Sequence, residues 1–415
     1  MNMRPGANMW LNTWMKNRWL WRVLFIAAML YFVVRGPWRA IHDSGDFLLV
    51  FTAARCWLHG ANPYAPADLA VAAQAAGIQV TAAHFVTNPS VYLPPALALL
   101  SPLALLPWSV AKALWLACLL ALSLWSMTLL VRNADAWKLP VASLLLAFAP
   151  LHTGLGKGQP SVLVCGLLCL SMFTPNPYAA GLMLGVAACM KPQLVVGFLL
   201  LALFQREYRK LIVACIFGLT TIAVALVFIA PGWFPALILN TREIVGGASG
   251  LNDLNPTSWY QLINLHILVP QALYRTPVEI IAYAIIILVT AFAIVRVANN
   301  KMAAALIASA TVLVGYHRFY DAQILWLAIP AILLLTNRRR SRCLWACYAV
   351  FLIPGQTMAA LRFGTRSGDP WAWLLLRHET LAILIVWMLL ASIAIARANV
   401  RVAASAFRRQ PVAAP

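Results

Sequence analysis

Apolar runs follow one another through most of this chain, separated by polar breaks only a few residues long. That pattern leaves few possible folds. Hydrophobic residues make up 63% of the sequence and charged residues 10%, too little polarity to cover a soluble body of this size. The runs at 108–131, 211–230 and 278–295 match the about 20 residues that cross a bilayer as a helix. The chain therefore reads as an all-α, polytopic integral membrane protein. It forms one membrane domain over 1–415, with roughly eleven to thirteen membrane segments.

Basic residues orient such a chain, because they stay on the cytoplasmic side. Arg4, Lys16, Arg18 and Arg22 precede the run 23–34. Arg35-Gly-Pro-Trp follows it, not a small-residue cleavage site, so the run reads as an uncleaved anchor with 1–22 in the cytoplasm. Residues 35–90 then form a first outer loop, with a short helix near 68–77, and 231–277 a second. Arg206, Arg209, Lys210 and the cluster Arg338-Arg-Arg-Ser-Arg342 mark inner turns, and the tail 398–415 is also cytoplasmic. The expected location is the inner or plasma membrane, with both termini inside and an extracytoplasmic active site.

The net charge of +20, from 31 basic and 11 acidic residues, is largely this topological signal, together with contact to anionic lipid. Nucleic acid is not an expected partner, because the arginine clusters are fragments of short loops. The eight cysteines lack C-x-x-C spacing and read as small core residues. No cofactor and no metal are expected. The only closely spaced carboxylates are Asp43 and Asp46.

The run at 91–106 is barely long enough to span, and its prolines suggest a bent or half-length entry; those at 139–151, 161–173, 178–190 and 193–204 are too short to span unaided. Gly156-Lys-Gly-Gln159-Pro and Met190-Lys191-Pro192-Gln193 stand between them. Broken helices of this kind are tolerated where polar backbone lines a cavity. If 132–138 is cytoplasmic, Gln159 and Lys191 face outward, near Asp46. If 91–106 crosses fully, they face inward.

Asp46 opens the stretch Phe47–Leu58. There Phe47, Val50, Phe51, Ala54, Trp57 and Leu58 recur at helical spacing, with Thr52, Arg55 and His59 opposite. This predicts an amphipathic helix in the membrane interface, ended by Gly60 and Asn-Pro. Asp46 fits a general base at the helix mouth, or, with Ser44, a helix cap. Lys191, in an apolar stretch from 178 to 204, fits a phosphate clamp or a snorkelling lysine. His317, with Tyr316, Arg318, Tyr320 and Asp321, fits phosphate or sugar contact, or an interfacial aromatic belt with an Arg–Asp pair. Gln159 and Asn255 fit sugar hydrogen bonding or ordinary turn chemistry. Tyr64 and Tyr92 fit sugar stacking or interface anchoring.

Several of these pieces occur in a recognisable order over about 40–330. They are Asp46-Phe47 with a helix ending Gly60-Ala-Asn-Pro-Tyr64; Tyr92-x-Pro-Pro95 with Pro102-Leu-Ala-Leu-Leu-Pro107; Gly158-Gln159; Gly181…Lys191-Pro192; and His317…Tyr320-Asp321. The set resembles the family-87 glycosyltransferases, membrane enzymes of the GT-C fold that include polyprenyl-phosphate-mannose-dependent mannosyltransferases. The resemblance implies an aspartate base, here Asp46. It also implies a basic residue and a histidine at the lipid phosphate, here Lys191 and His317, with Arg318 beside them. The partners it implies are a polyprenyl-phosphate sugar donor (mannose or another hexose), a lipid or glycan acceptor and membrane lipids. Transfer would be inverting, through an oxocarbenium-like state. The rival expectation is a secondary transporter or lipid flippase, which broken helices would also suit. No internal repeat supports that rival.

Overall fold

The computed structural model describes residues 18–132, 134, 137–246, 262–269, 273, 276–297, 299–335, 337–353 and 370–408. All regular elements among them are helices; one isolated antiparallel bridge joins Leu262 to Arg318. Five helical stretches are long and apolar enough to cross a bilayer: Arg18–His42, Trp108–Arg132, Tyr208–Val227, Pro277–Arg296 and Arg377–Ala396. The pair Lys138–Leu146 and Ala149–Lys157, bent by 44°, could form one more broken span. The chain is an all-α, multi-pass membrane protein.

In chain order the helices are α1 (Arg18–His42), α2 (Gly45–Leu58), α3 (Pro66–Ala75), α4 (Ala82–Thr87), α5 (Pro94–Ala104) and α6 (Trp108–Arg132). Then come α7 (Lys138–Leu146), α8 (Ala149–Lys157), α9 (Pro160–Phe173), α10 (Pro177–Met190), α11 (Pro192–Phe204), α12 (Tyr208–Val227) and α13 (Trp233–Gly246). They are followed by α14 (Pro277–Arg296), α15 (Asn300–Leu313), a 3₁₀ helix (Phe319–Ala328), α16 (Ile329–Leu333), α17 (Arg338–Val350) and α18 (Pro370–Arg408).

Proline sets much of this segmentation. Pro94, Pro160, Pro177, Pro192 and Pro277 each begin a helix. The missing N–H costs nothing in that first turn, and the residue before proline is held extended. That is why the short apolar runs at 91–106, 161–173, 178–190 and 193–204 become separate helices of 11 to 14 residues, while the run at 139–151 divides between two bent helices of nine residues each.

Two expectations about the first loop need correction. Arg35-Gly-Pro-Trp does not end the first helix. A wider π-helical turn over Val34–Trp38 absorbs Pro37, and the helix runs on to His42. The helix after Asp46 also lacks the polar, water-facing side expected of it. Thr52, Ala53 and Cys56 are as buried as Phe47, Val50 and Phe51. The Thr52 hydroxyl bonds back to the Leu48 carbonyl at 2.8 Å, and Arg55 donates to the Ala104 carbonyl at 2.9 Å. Thr52 is thus satisfied within its own helix and the Arg55 Nη1 group by the neighbouring helix, not by water. Only His59, at the helix end, is exposed. The α2 helix is an internal strut against α5 and α6, where Phe47 stacks on Trp115 with centroids 5.0 Å apart.

The expected run 324–335 is different again. Residues 319–328 form a ten-residue 3₁₀ helix, buried throughout. Such runs rarely exceed three or four residues. Here α8, α9 and α15 pack around it.

Candidate active site

Four helix termini from distant parts of the sequence meet at one place. The first is the start of α2. Ser44 precedes it with a left-handed backbone, φ 58°. Its hydroxyl donates to the Ala40 carbonyl and caps nothing. Asp43 accepts from the Gly45 amide at 3.2 Å and pairs with Lys157 at 2.9 Å and Arg39 at 3.5 Å. Burial pushes the Asp43 carboxyl up, but Lys157, the Gly45 amide and Arg39 outweigh it and hold the group below the usual carboxylate range. The expected capping role of Asp46 or Ser44 thus falls to neither.

The Asp46 carboxylate points elsewhere, to the second terminus. Its Oδ2 accepts from Gln159 Nε2 at 2.6 Å. Gln159 sits between α8 and α9, after Gly158 at φ +67°. A Cβ at Gly158 would stand 2.8 Å from Phe47 Cβ. Glycine is required there twice, for the left-handed turn and for the close approach to α2. Trp115 donates to the Gly158 carbonyl at 2.8 Å and locks the turn.

The third terminus is the break between α10 and α11. Pro192 forces Lys191 extended, with φ −154° and ψ 77°. The Lys191 ammonium reaches Asp321 Oδ1 at 2.6 Å and Ser161 Oγ at 2.8 Å, and it lies 5.1 Å from the Tyr320 ring centroid. The snorkelling alternative does not describe this lysine: its side chain is 12% exposed.

The fourth terminus is the entry to the 3₁₀ helix. Asp321, 1% exposed, gathers the site. Its Oδ1 accepts from Lys191 and from the Ser161 hydroxyl at 2.6 Å. Its Oδ2 faces His317 Nδ1 at 3.3 Å and accepts from the Arg318 amide at 3.2 Å. An ionised carboxylate only accepts, so the Asp321 contact places a proton on His317 Nδ1. Arg318 donates to the Tyr316 hydroxyl at 2.9 Å. The segment before α14 braces this loop: the Ile263 amide donates to the His317 carbonyl at 3.2 Å, and Asn264 Nδ2 to the Gly315 carbonyl at 2.8 Å.

These contacts form one polar line. It runs from Asp46 to Gln159, across 3.5 Å to Ser161, then to Asp321, Lys191 and His317. Asp46, Gln159, Lys191, His317, Arg318 and Tyr320 are therefore brought together, and Gln159 and Lys191 lie on the same side as Asp46. Tyr92 joins them. Burial raises its phenol above the usual tyrosine range, and the nearby charge of Asp46 adds to this. Tyr64 is not brought in. It is buried, and its hydroxyl donates to the Tyr92 carbonyl at 2.7 Å. It supports Tyr92 and has no free face for a sugar. Asn255 lies outside the described residues.

Two residues carry more than the sequence suggested. Ser161 has no motif of its own; only its place two residues after Gln159, at the mouth of a proline-started helix, marks it. Asp321 reads from sequence as a partner for Arg318. In the structure its side chain holds Lys191.

Beside the group, an apolar groove of about 220 Å³ runs along α11, α14 and α15. It begins at Gln193 and Val314, close in sequence to Lys191 and His317, and passes Val196, Leu200 and Ile294 to Phe204. A larger apolar cavity of about 510 Å³, between α1, α7 and α17, is lined by none of these polar residues. Among the described residues, no cluster of three or more histidine, cysteine or acidic side chains has the arrangement of a metal site.

The sequence model of the family described as Glycosyltransferase family 87 matches residues 91–317, more than half of the chain. No curated protein and no solved structure matched. The matched span holds Tyr92, Gln159, Ser161, Lys191 and His317; Asp46 and Asp321 lie outside it.

Proposed function

The chain belongs to glycosyltransferase family 87, and from that premise we propose that it moves a sugar, mannose or another hexose, from a polyprenyl phosphate to a lipid or glycan acceptor. Asp46 is the general base. Gln159 holds one carboxylate oxygen and leaves the other for the acceptor hydroxyl. As the proton passes to Asp46, the acceptor oxygen forms its bond to the anomeric carbon. The bond from that carbon to the phosphate oxygen breaks on the opposite face, and its electron pair stays on the phosphate. The product is inverted at that carbon.

Lys191 has three N–H bonds. Asp321 and Ser161 take two, and the third serves a phosphate oxygen. His317 stands beside this contact, oriented by Asp321, and the Arg318 guanidinium adds charge at the phosphate. Asp321 partly neutralises the lysine before the donor arrives, which keeps that ammonium tolerable at depth. The polyprenyl chain lies in the groove that starts at Gln193 and Val314. The site faces away from the cytoplasm, opposite the basic turns.

The convergence of Asp46, Gln159, Lys191 and His317 from separate segments is the observation that carries this reading. Transfer from radiolabelled polyprenyl-phosphate sugars, assayed in membranes with a total lipid extract as acceptor, tests it. Asp46→Asn should lose about 10²–10⁴-fold in rate. Its fold should survive, since the amide still accepts from Gln159. Transfer equal to wild type in a well-inserted Asp46→Asn protein would overturn the assignment.

A further inference from the structure

At the end of α9, α10 and α11 remote from Asp46 lies a second cavity of about 450 Å³. The turns 174–177 and 204–208 enclose it. Arg206, Arg209 and Lys210 line it, with one acid, Glu207, bonded to Lys210 at 3.2 Å. The remaining walls are Ser171, Thr174 and the start of α10. The Ser171 and Thr174 hydroxyls bond backbone carbonyls at 2.9 and 2.8 Å. The cavity therefore offers two cations in excess, attractive to an anion; the start of α10 forms one wall, its first amides capped by the Asn176 side chain at 2.9 and 3.3 Å.

The backbone at Arg206 is an independent sign. The α11 helix ends in a Schellman turn: the Arg206 amide donates to the Leu203 carbonyl at 3.0 Å and the Glu207 amide to the Ala202 carbonyl at 2.9 Å. Arg206 occupies the left-handed position of that turn, φ 58°, where glycine is the usual residue. Among the described residues only Ser44, beside the catalytic group, shares a positive φ without being glycine. A side chain is kept at Arg206 against backbone strain.

The surroundings say what kind of anion fits. The α12 helix starts at the cavity and is a candidate span with Ile212, Ile216 and Leu219 exposed. Tyr208, also exposed, lines the cavity, and exposed Tyr178 follows the lining residue Pro177. The basic residues therefore stand where a membrane-facing helix meets the headgroup layer, and apolar surface continues below them. Close packing fixes that edge: a Cβ at Gly181 would stand 2.5 Å from the Lys210 carbonyl oxygen.

We infer that this cavity binds the phosphate of an anionic phospholipid, with the acyl chains lying on α12. The site is separate from the transfer site, and the inference does not depend on the transfer reading.

The test uses the full chain in neutral detergent, with retained lipid counted by native mass spectrometry. The probes are phosphatidylglycerol, phosphatidylcholine and inorganic phosphate. Wild type should retain phosphatidylglycerol about tenfold or more over phosphatidylcholine, and inorganic phosphate should not displace it. The double variant Arg206→Gly with Arg209→Gln should lose that preference. Its melting temperature should hold or rise, because glycine suits the turn. Equal retention of both lipids, or a preference that survives in the variant, would overturn the inference. Displacement by inorganic phosphate would also overturn it, by making this a soluble-anion site.

Discussion

At Asp321 the structure makes a demand that sequence reading understates. Its carboxylate is 1% exposed and carries Lys191, Ser161, His317 and the Arg318 amide at once. Removing one member of a buried ion pair leaves the other charge uncompensated, at about 3–5 kcal/mol. Asp321→Asn should therefore lower the apparent melting temperature in detergent sharply and abolish transfer. The double variant Asp321→Leu with Lys191→Met should recover most of the thermal stability and none of the transfer. An Asp321→Asn protein that melts like wild type would show that the pair is not what holds this site. Asp46, Gln159, Lys191 and His317 were legible because each is a rare polar group in an apolar background. Ser161 was not: a lone serine in a helix is ordinary, and its role comes from a partner 160 residues away.

Helix ends matter more here than helix bodies. Proline breaks could be read directly, so the helices Pro94–Ala104, Pro160–Phe173, Pro177–Met190 and Pro192–Phe204 fall close to their expected places, whereas the expected run 139–151 is split into Lys138–Leu146 and Ala149–Lys157. The end of the first helix could not, because a π-helical turn carries it past Pro37. The all-round burial of α2 was hidden for a related reason. Threonine, cysteine and arginine satisfy carbonyls inside a bundle as readily as they face water, so spacing alone does not separate the two settings. The turn holding Gln159 shows what such an end requires. Gly158→Ala must adopt φ +67° and place a methyl carbon 2.8 Å from Phe47 Cβ. The left-handed backbone alone costs roughly 1–2 kcal/mol, and the contact pushes α2 away from Gln159. The expected result is a lower melting temperature and a larger loss of transfer than Gln159→Ala, which removes the hydrogen bond and leaves the turn intact. Equal rates in the two variants would mean the turn does not set the Asp46 position.

Across the bundle, the groove along α11 is, among the described residues, an apolar path that starts close to the polar group. The α11 helix rises about 20 Å over its 13 residues, and its outward face, Val196 and Leu200, is open along that length. Gly197 lets α15 come close: a Cβ there would stand 2.7 Å from Ile307 Cγ2. That approach forms the floor of the groove. Val196→Trp or Leu200→Trp would fill the groove without disturbing the core, since both positions are exposed. If the groove holds the donor chain, each variant should raise KM for a long polyprenyl donor by about tenfold. That corresponds to roughly 1.4 kcal/mol of lost chain burial, the worth of two buried CH₂ groups. A donor with a chain too short to pass Gln193 should be handled as by wild type, because the phosphate and sugar contacts are untouched. Equal KM changes for both donors would place the damage at the catalytic group. No change for either would move the chain to another face of the bundle. The larger cavity between α1, α7 and α17 serves as the control: Leu24→Trp there, at an exposed position, should leave both donors unaffected if the chain follows α11.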